Sequence, residues 1–205
     1  RQLPMLLLTN GCGAMSRMSA WLGEVQSKYD CVLAANLHSS LPVNRQVMAK
    51  RLRVWVNANS FLSELGRTRL ISFGAGERAW WLYEVPAGES RSVRLKITAE
   101  MLHGENSIRF CFEANPAKQS EEIEITVRLD VEDRSFHGET KLDAETEKHF
   151  RDATSPLDEG VGFAFSPSRD RRLVARATCG RFFAGEEWCR DIPHSVEATR
   201  GQEAS

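Results

Sequence analysis

The sequence predicts an all-β protein, built as a large antiparallel sandwich of two sheets with few short helices. Apolar and polar residues alternate with a period of two in several segments, which is the pattern of a strand with one buried face. Turn-forming residues separate these segments at short intervals. No long apolar stripe with a period of 3.6 lies between successive strands, so the helical crossovers of a parallel sheet are missing.

Four segments carry the alternation most clearly. The residues expected to face inward are Leu52, Val54 and Val56; Val93, Leu95 and Ile97; Ile108, Phe110 and Phe112; and Ile123, Ile125, Val127, Leu129 and Val131. Their polar neighbours are expected to face water or a partner, as in antiparallel sheets with one solvated face.

Three apolar runs, at 31–35, 80–85 and 161–165, predict strands that are buried on both faces. The stretch 60–65 predicts a helical turn, and the charged stretch 143–152 predicts a short exposed helix or a loop. Gly, Asn and Pro punctuate the strands, for example in the turns at 10–11, 74–76, 86–88 and 103–106.

Length and composition predict one globular domain over 1–205. The 205 residues, 41% hydrophobic and 27% charged, are sufficient for a sizeable core. The polar stretch 138–160 is interpreted as an excursion within this domain. Because the chain starts at Arg1 without a methionine and stops in a polar stretch, we expect it to be a fragment of a longer protein.

Net charge and cysteine spacing limit the binding partners and the cellular compartment that we expect. A net charge of −1 gives no general attraction to nucleic acid or to an anionic membrane, whereas a neutral sugar polymer fits. The longest apolar run, 5–8, is too short to span a bilayer. Five scattered cysteines without C-x-x-C spacing disfavour a disulfide framework and a zinc site, so we expect a reducing cytoplasm.

The residue types that carry chemistry form no complete active site. Glu122, Glu124, Asp130 and Glu132 invite comparison with a glycosidase carboxylate pair, but the alternation puts them on one polar strand face. The five histidines have no metal-ligand spacing, and no nucleophile elbow or phosphate loop is present. We therefore expect no catalytic residue, metal or cofactor in this chain.

Arginines and aromatic residues are the remaining candidates for binding. Arg169, Arg171, Arg172 and Arg176 are interpreted as a polar strand face. Five aromatic residues offer faces that can stack on sugar rings, although burial in a sandwich core is the commoner use. They are Trp55, Trp80, Trp81, Tyr83 and Trp188. Trp55 is singled out because the alternation turns it away from Val54 and Val56.

Several segments resemble one family. Residues 6–16 resemble the L-x-T-N-G-x-G-G-Y-x-S opening of bacterial and archaeal glycogen debranching enzymes, and 26–35 lie in register with the T-R-R-Y-H-G-L-L-V-A stretch that follows it. The next matches are Pro42 and Arg45 of P-x-x-R, 104–108 of G-E-N-T-V, 127–137 of the strand ending in R-D-F-H, and 188–201 of the closing W-Y…E-x-x-R-G segment. The motifs occur in the family's order.

This resemblance implies a β-supersandwich that precedes an (α/α) six-barrel, a helical toroid that cleaves α-1,6 branches in glycogen with carboxylates beyond residue 205. It implies that Asn10, Lys28, Tyr29, Asp30 and Arg200 contact sugar or the barrel, because they occupy motif positions and are polar. Ser27-Lys28 stand where the family has two arginines, and a lysine cannot reproduce the bidentate arginine fork. A divergent substrate or a parent without activity would fit this departure.

Functional hypotheses of three classes follow. The leading one is the N-terminal non-catalytic domain of an amylo-α-1,6-glucosidase, which packs on its catalytic toroid and helps to present branched α-glucan. The alternatives are a free-standing carbohydrate-binding module or the equivalent sandwich of another toroid glycosidase or phosphorylase. A sandwich used only for protein interaction is the third class.

Overall fold

A computed structural model describes residues 4–38, 40–41, 44–115, 122–141, 143–185, 187–190 and 192–201. It confirms the all-β prediction: the described residues form three antiparallel sheets and two α-helices. The chain divides into two compact units, residues 1–138 with 193–205 and residues 139–192. The single domain over 1–205 stays a prediction.

The first unit contains two sheets. The first sheet has the order β1-β2-β3-β4-β10, with β5 also paired to β4. Its strands are β1 Met5–Thr9, β2 Met15–Ser19, β3 Cys31–Asn36, β4 Arg45–Ala58, β5 Phe61–Glu64 and β10 Ile123–Ser135. The second sheet has the order β6-β7-β8-β9. Its strands are β6 Leu70–Ala75, β7 Ala79–Pro86, β8 Ser92–Met101 and β9 Ile108–Asn115, and a 3₁₀ turn, Arg67–Arg69, precedes them.

The core of the first unit lies between these sheets. Strand β1 contacts β6, β7 and β8, and β4 contacts β7. The predicted inward residues of β4 and β8 are buried, which confirms the alternation there. In β9 and β10 the predicted inward residues are at most half-buried. These strands form an edge of their sheets, so the opposite layer covers them less completely.

Three local predictions were wrong. In the run 161–165 only Ala164 and Phe165 are buried, so this run is not buried on both faces. Residues 60–65 contain strand β5 rather than a helical turn, because Asn59 and Ser60 both adopt positive φ, 50° and 70°, and reverse the chain from β4 into β5. Strand β7 is not buried on both faces. Trp81, Tyr83 and Val85 face the core and alternate with less buried residues. In contrast, β3 is buried along its whole length, as predicted.

The second unit contains a three-stranded sheet in the order β11-β12-β13. Its elements are α1 Ala144–Asp152, β11 Thr154–Pro156, β12 Val161–Ser168 and β13 Arg171–Ala177. Asp143 caps α1, and its Oδ1 accepts a hydrogen bond from the Thr146 N–H at 2.7 Å. The Phe150 ring lies 5.1 Å from the Phe165 ring and 5.3 Å from the Trp188 ring.

A final helix, α2 Ser195–Thr199, belongs to the first unit. No helix among the described residues is long and apolar enough to span a bilayer. The five cysteines are free thiols. The cytoplasmic location stays a prediction.

Candidate functional site

Asn10 holds the turn between β1 and β2 and ties it to the second sheet. Its buried Oδ1 accepts hydrogen bonds from the backbone N–H groups of Cys12 and Ala14 at 2.8 and 3.0 Å. Its Nδ2 donates to the Glu105 carbonyl at 2.9 Å, and its own carbonyl accepts from the Gly104 N–H at 2.8 Å. One side chain thus satisfies the polar groups of two turns that are 95 residues apart.

Asn36 and Asn106 complete this connection. Asn106 Oδ1 accepts from the Asn36 N–H at 2.9 Å, and Asn106 Nδ2 donates to the Asn36 carbonyl at 2.8 Å. Asn36 Nδ2 donates to the Cys12 carbonyl at 2.8 Å. We call Asn10, Asn36 and Asn106 the asparagine cluster. It joins the T-N-G and G-E-N motif segments to each other, with Asn10 and Asn36 buried and Asn106 exposed. Because Asn10 is buried, the geometry does not favour its predicted contact with sugar or a second domain.

Asp30 organises the turn at 26–30 between β2 and β3. Its buried Oδ2 accepts hydrogen bonds from the backbone N–H groups of Gln26 and Ser27 at 2.8 and 3.0 Å. Its Oδ1 pairs with Arg17 Nη1 at 2.6 Å. Asp30 stands where the family motif has a histidine, and here it acts as the acceptor that closes the turn.

Two buried cations hold the carbonyl groups of the same turn. Lys50 Nζ donates to the carbonyls of Ser27 and Lys28 at 3.1 and 2.9 Å. Arg134 Nη2 donates to the Lys28 carbonyl at 2.5 Å, and its Nε pairs with Glu132 at 2.7 Å. Burial lowers the pKa of Lys50 to about 8, although the nearby Glu132 acts in the opposite direction.

Glu197 of α2 reaches the turn from the end of the chain. The Ser27 hydroxyl donates to its fully buried Oε1 at 2.6 Å, and the Val196 N–H donates to the Gln26 carbonyl at 3.0 Å. Burial acts to raise the pKa of Glu197. Hydrogen bonds from Ser27 and from backbone N–H groups outweigh this effect, so the pKa is lowered and the carboxylate form is favoured.

Three motif segments meet at four buried charged side chains. We call these side chains, Asp30, Lys50, Arg134 and Glu197, the buried charge network. The segments are 26–30, 134–137 and 197–201, distant in sequence. Sequence reasoning missed Lys50, Arg17 and the role of Glu197. The available signal was a lysine directly after the apolar run Val47, Met48 and Ala49 of β4.

Aromatic side chains lie above this network. The Tyr29 ring centroid is 5.1 Å from that of Phe136 and 5.7 Å from that of His137, and the last two are 5.5 Å apart. Lys28 Nζ lies 5.7 Å from the centre of the Tyr29 ring. Lys28, Tyr29 and Phe136 are half-buried, and His137 is exposed. We call these four residues the turn surface.

The structure therefore gathers three of the five predicted site residues, Lys28, Tyr29 and Asp30, in one turn. Asn10 lies in the asparagine cluster. Arg200 is exposed just after α2, where its backbone N–H donates to the Glu197 carbonyl at 3.0 Å. Whether any of these residues contacts sugar or a second domain stays a prediction.

The other candidates are distributed over the molecule. Asp130 pairs with Arg51 and Arg53 at 2.6 and 2.9 Å, so the acidic strand face is used in ion pairs. Trp55 is half-buried, 5.7 Å from the Arg53 guanidinium. Trp81 and Tyr83 are in the core, whereas Trp80 is exposed. Within the described ranges, no three His, Cys, Asp or Glu side chains are grouped as a metal site requires.

These features define a β-sandwich domain in which separated motif segments meet at two places, one at the asparagine cluster and one beneath an aromatic surface. The chain belongs to the family "Glycogen debranching enzyme N terminal", whose profile matches residues 5–205. The resemblance is thereby confirmed. Neither the curated proteins nor the solved structures contained a match.

Proposed function

We propose that the chain is the non-catalytic N-terminal domain of a glycogen-debranching glycoside hydrolase, that it packs on the catalytic helical toroid of the same polypeptide, and that its turn surface helps to present branched α-glucan. One observation carries the proposal: three motif segments converge beneath a set of aromatic rings. The buried charge network fixes the backbone of the turn, so the rings are presented on a rigid support.

The buried carboxylates support a non-catalytic role. A glycosidase needs one carboxyl group to donate a proton and a second to act as a nucleophile or base next to the sugar. In this chain Asp30 closes a turn with Arg17, Glu132 pairs with Arg134, and Glu197 accepts from Ser27. We expect the 205-residue chain alone to release no glucose from a branched α-glucan, and turnover by the pure chain would contradict the proposal.

The turn surface has the chemistry of a site for a neutral sugar. The apolar C–H faces of a pyranose ring pack on aromatic rings, and polar groups at the edge bind its hydroxyl groups. Tyr29 and Phe136 provide the rings, while Lys28, the Tyr29 hydroxyl and His137 provide donors and acceptors. The lysine replaces a family arginine, so this contact is a point charge rather than a fork.

Steady-state kinetics of the full-length enzyme test this role. Tyr29→Ala removes the central ring of the turn surface, so we expect a several-fold higher KM for branched α-glucan with nearly unchanged kcat. This combination indicates a contact that binds the substrate and the transition state equally well. Tyr29→Phe is the matched control, because it retains the ring and loses only a hydroxyl that lies 3.4 Å from His137 Nδ1. An unchanged KM for Tyr29→Ala would remove the turn surface from substrate binding.

Two edge strands, β9 of the second sheet and β10 of the first, favour packing on another domain. The inward residues Ile108, Phe110 and Phe112 of β9 are half-buried, and Val127 of β10 is 45% exposed although it pairs with the buried Val54. Apolar side chains that the opposite sheet leaves uncovered favour a partner that covers them. The catalytic toroid is the occupant that the family membership favours.

Association of the chain with a separately produced catalytic part tests the docking role. We expect the two to co-elute in gel filtration, and Val127→Asp to weaken the complex because it places a charge in an apolar contact. Val174→Asp is the matched control, since Val174 is 46% exposed but lies in the second unit. Independent elution of the wild-type chain would contradict docking and would favour the alternative, a free-standing carbohydrate-binding module.

A further inference from the structure

Trp80 lies on the outer face of the second sheet, so packing in the core does not explain why a tryptophan is present there. Its neighbours in sequence, Ala79 and Trp81, face the core, and Trp80 is 36% exposed on the outer face of β7. It is paired with Gly74 on β6. A Cβ on Gly74 would lie 2.7 Å from the indole Nε1 and 2.8 Å from Cε2 and Cζ2, so the indole occupies the space that any other side chain at 74 would need.

Polar side chains lie next to Trp80 in the register of the same face. Thr98 of β8 is its cross-strand partner, and Cys111 of β9 follows in the same row. The next row contains Ser72, Leu82, Lys96 and Glu113, of which only Leu82 is apolar. Such neighbours are within reach of a group resting on the ring. The outer face of the second sheet at this point is therefore one aromatic plate with hydrogen-bonding groups beside it.

The charges of this face are balanced and largely paired. Glu100 pairs with Arg78 at 2.6 Å and with Arg109 at 3.2 Å, and Arg94 lies 3.5 Å from Glu84. A polyanion such as nucleic acid is bound by an excess of cations, which this face does not have. A stable protein partner usually covers about 800 Å² on each side with an apolar centre, whereas here the apolar area is centred on one ring.

We propose that Trp80 and its row partner Thr98, with Lys96, form a second α-glucan contact on the outer face of the second sheet, separate from the turn surface on the first sheet. The C–H face of a glucose unit would pack on the indole, and its hydroxyl groups would bond to the Thr98 hydroxyl and the Lys96 ammonium group. This inference rests on the proposed function for the class of ligand. It adds a second point at which a long branched chain is held.

A purely structural role for Trp80 predicts a different result and can be separated. An aromatic side chain that covers a glycine on a neighbouring strand stabilises a sheet without any ligand. Phe61 covers a glycine elsewhere: it is 50% exposed, and a Cβ on Gly88, in the turn after β7, would lie 2.6 Å from its Cε2 atom. Phe61→Ala is therefore the matched control for the loss of a covered glycine.

Calorimetric titration of the 205-residue chain with maltoheptaose, and retardation of the chain in native gels that contain glycogen, test the inference. We expect Trp80→Ala to weaken binding about tenfold, equivalent to about 1.4 kcal/mol, and Trp80→Phe to retain part of the affinity. Gly74→Ala should also weaken binding, because the new methyl group must displace the indole. Phe61→Ala should bind as the wild type does.

Two outcomes would overturn the inference: wild-type affinity in Trp80→Ala, or an equal loss in Phe61→Ala. Neither would affect the proposed function, which is tested by the KM of Tyr29→Ala in the full-length enzyme. Conversely, a Tyr29→Ala enzyme with unchanged KM beside a weakened Trp80→Ala chain would leave Trp80 as the glucan contact and remove the turn surface.

Discussion

The asparagine cluster and the turn surface are both built from family motif segments, but they use their polar atoms differently. In the asparagine cluster the side-chain amides bond to backbone groups of two turns, and Asn10 itself is buried. At the turn surface the polar groups that fix the backbone lie below, and Lys28, Tyr29 and Phe136 remain half-buried above them. Residues of the family motifs therefore form one cluster that holds two turns together and one cluster that lies at the surface.

This difference shows that a polar residue in a motif is not evidence of ligand contact by itself. Asn10 and Asp30 were both selected as site residues because they are polar and occupy motif positions, yet each accepts two backbone N–H groups within the chain. For these two residues the burial of the side chain, rather than the motif, indicates a supporting role. Substitutions in each of the two clusters test this difference.

Arg134→Ala should have the largest effect on stability. The buried guanidinium bonds to Glu132 and to the carbonyls of Lys28 and Gly138. Its removal takes the ion pair from Glu132 and the donor from the Gly138 carbonyl, while the Lys28 carbonyl keeps its hydrogen bond from Lys50. We expect a loss of about 3 kcal/mol in the free energy of unfolding, measured by urea denaturation. Arg134→Lys, which keeps the charge without the fork, should lose less. A loss below 1 kcal/mol would show that the turn surface does not depend on the network.

Asn10→Ala should cost about 2 kcal/mol, because the Cys12 and Ala14 N–H groups and the Glu105 carbonyl lose their partner. Asn10→Asp is the matched control: it keeps the acceptor for the two N–H groups and loses only the donor, so its cost should be smaller. Both variants should bind α-glucan as the wild type does in calorimetric titration. Weaker glucan binding by a stably folded Asn10→Ala chain would place Asn10 at the ligand.

Gly11→Ala should cost about 1–2 kcal/mol, because φ is +78° and an L side chain is strained in this region. The new Cβ would also lie 2.8 Å from His103 Cε1. Gly104→Ala is the matched control, since φ is +76° and no atom lies within 4 Å of its Cβ position. Thermal unfolding should show a slightly larger loss for Gly11→Ala. Equal stability of the Gly11→Ala chain and the wild type would contradict the described turn.

The pH dependence of stability should report Lys50. Burial lowers its pKa from the ordinary 10.5 to about 8, so between these values the unfolded chain holds a proton that the folded chain has released, and stability rises with pH. From pH 8 to 9 the gain should be roughly 1 kcal/mol. Lys50→Met should lack this gain.

The window ends near pH 9 because Cys31 acts in the opposite direction. Burial raises the pKa of its thiol from 9.0 to about 11, so stability falls as pH rises above 9. Cys31 is present in both chains, so its burial effect cancels in the difference between the wild type and Lys50→Met, and what is left is the titration of Lys50 and its interaction with Cys31. Parallel stability curves for the two chains between pH 7 and 9 would contradict a lowered pKa of Lys50.

The strands were predictable because alternation is a local property of the sequence. It predicted the inward residues of β4 and β8, and failed at 80–85 only because three adjacent aromatic and apolar residues, Trp80, Trp81 and Leu82, hid the alternation. The turn at Asn59 and Ser60 was missed because residues other than glycine adopt positive φ there.

The site was less predictable, because it is assembled from segments that meet only in the folded chain. Lys28, Tyr29 and Asp30 were found through their motif. The pairing of Ser27 with Glu197, 170 residues apart, and the contacts of Lys50 and Arg134 with the same turn depend on tertiary structure. Nothing in the local pattern of β4 indicates where the ammonium group of Lys50 goes.

Amide spectra of the 15N-labelled chain, recorded with and without a branched α-glucan oligosaccharide, test the separation of the two clusters most directly. Asn10, Asn36 and Asn106 have side-chain amide signals of their own, so both clusters are observed in one experiment. We predict that the backbone signals of Lys28, Tyr29, Phe136 and His137 shift and that the three asparagine side-chain signals stay in place. Shifts of the asparagine signals, with the turn surface unchanged, would contradict the prediction that the glucan contacts the turn surface and not the asparagine cluster.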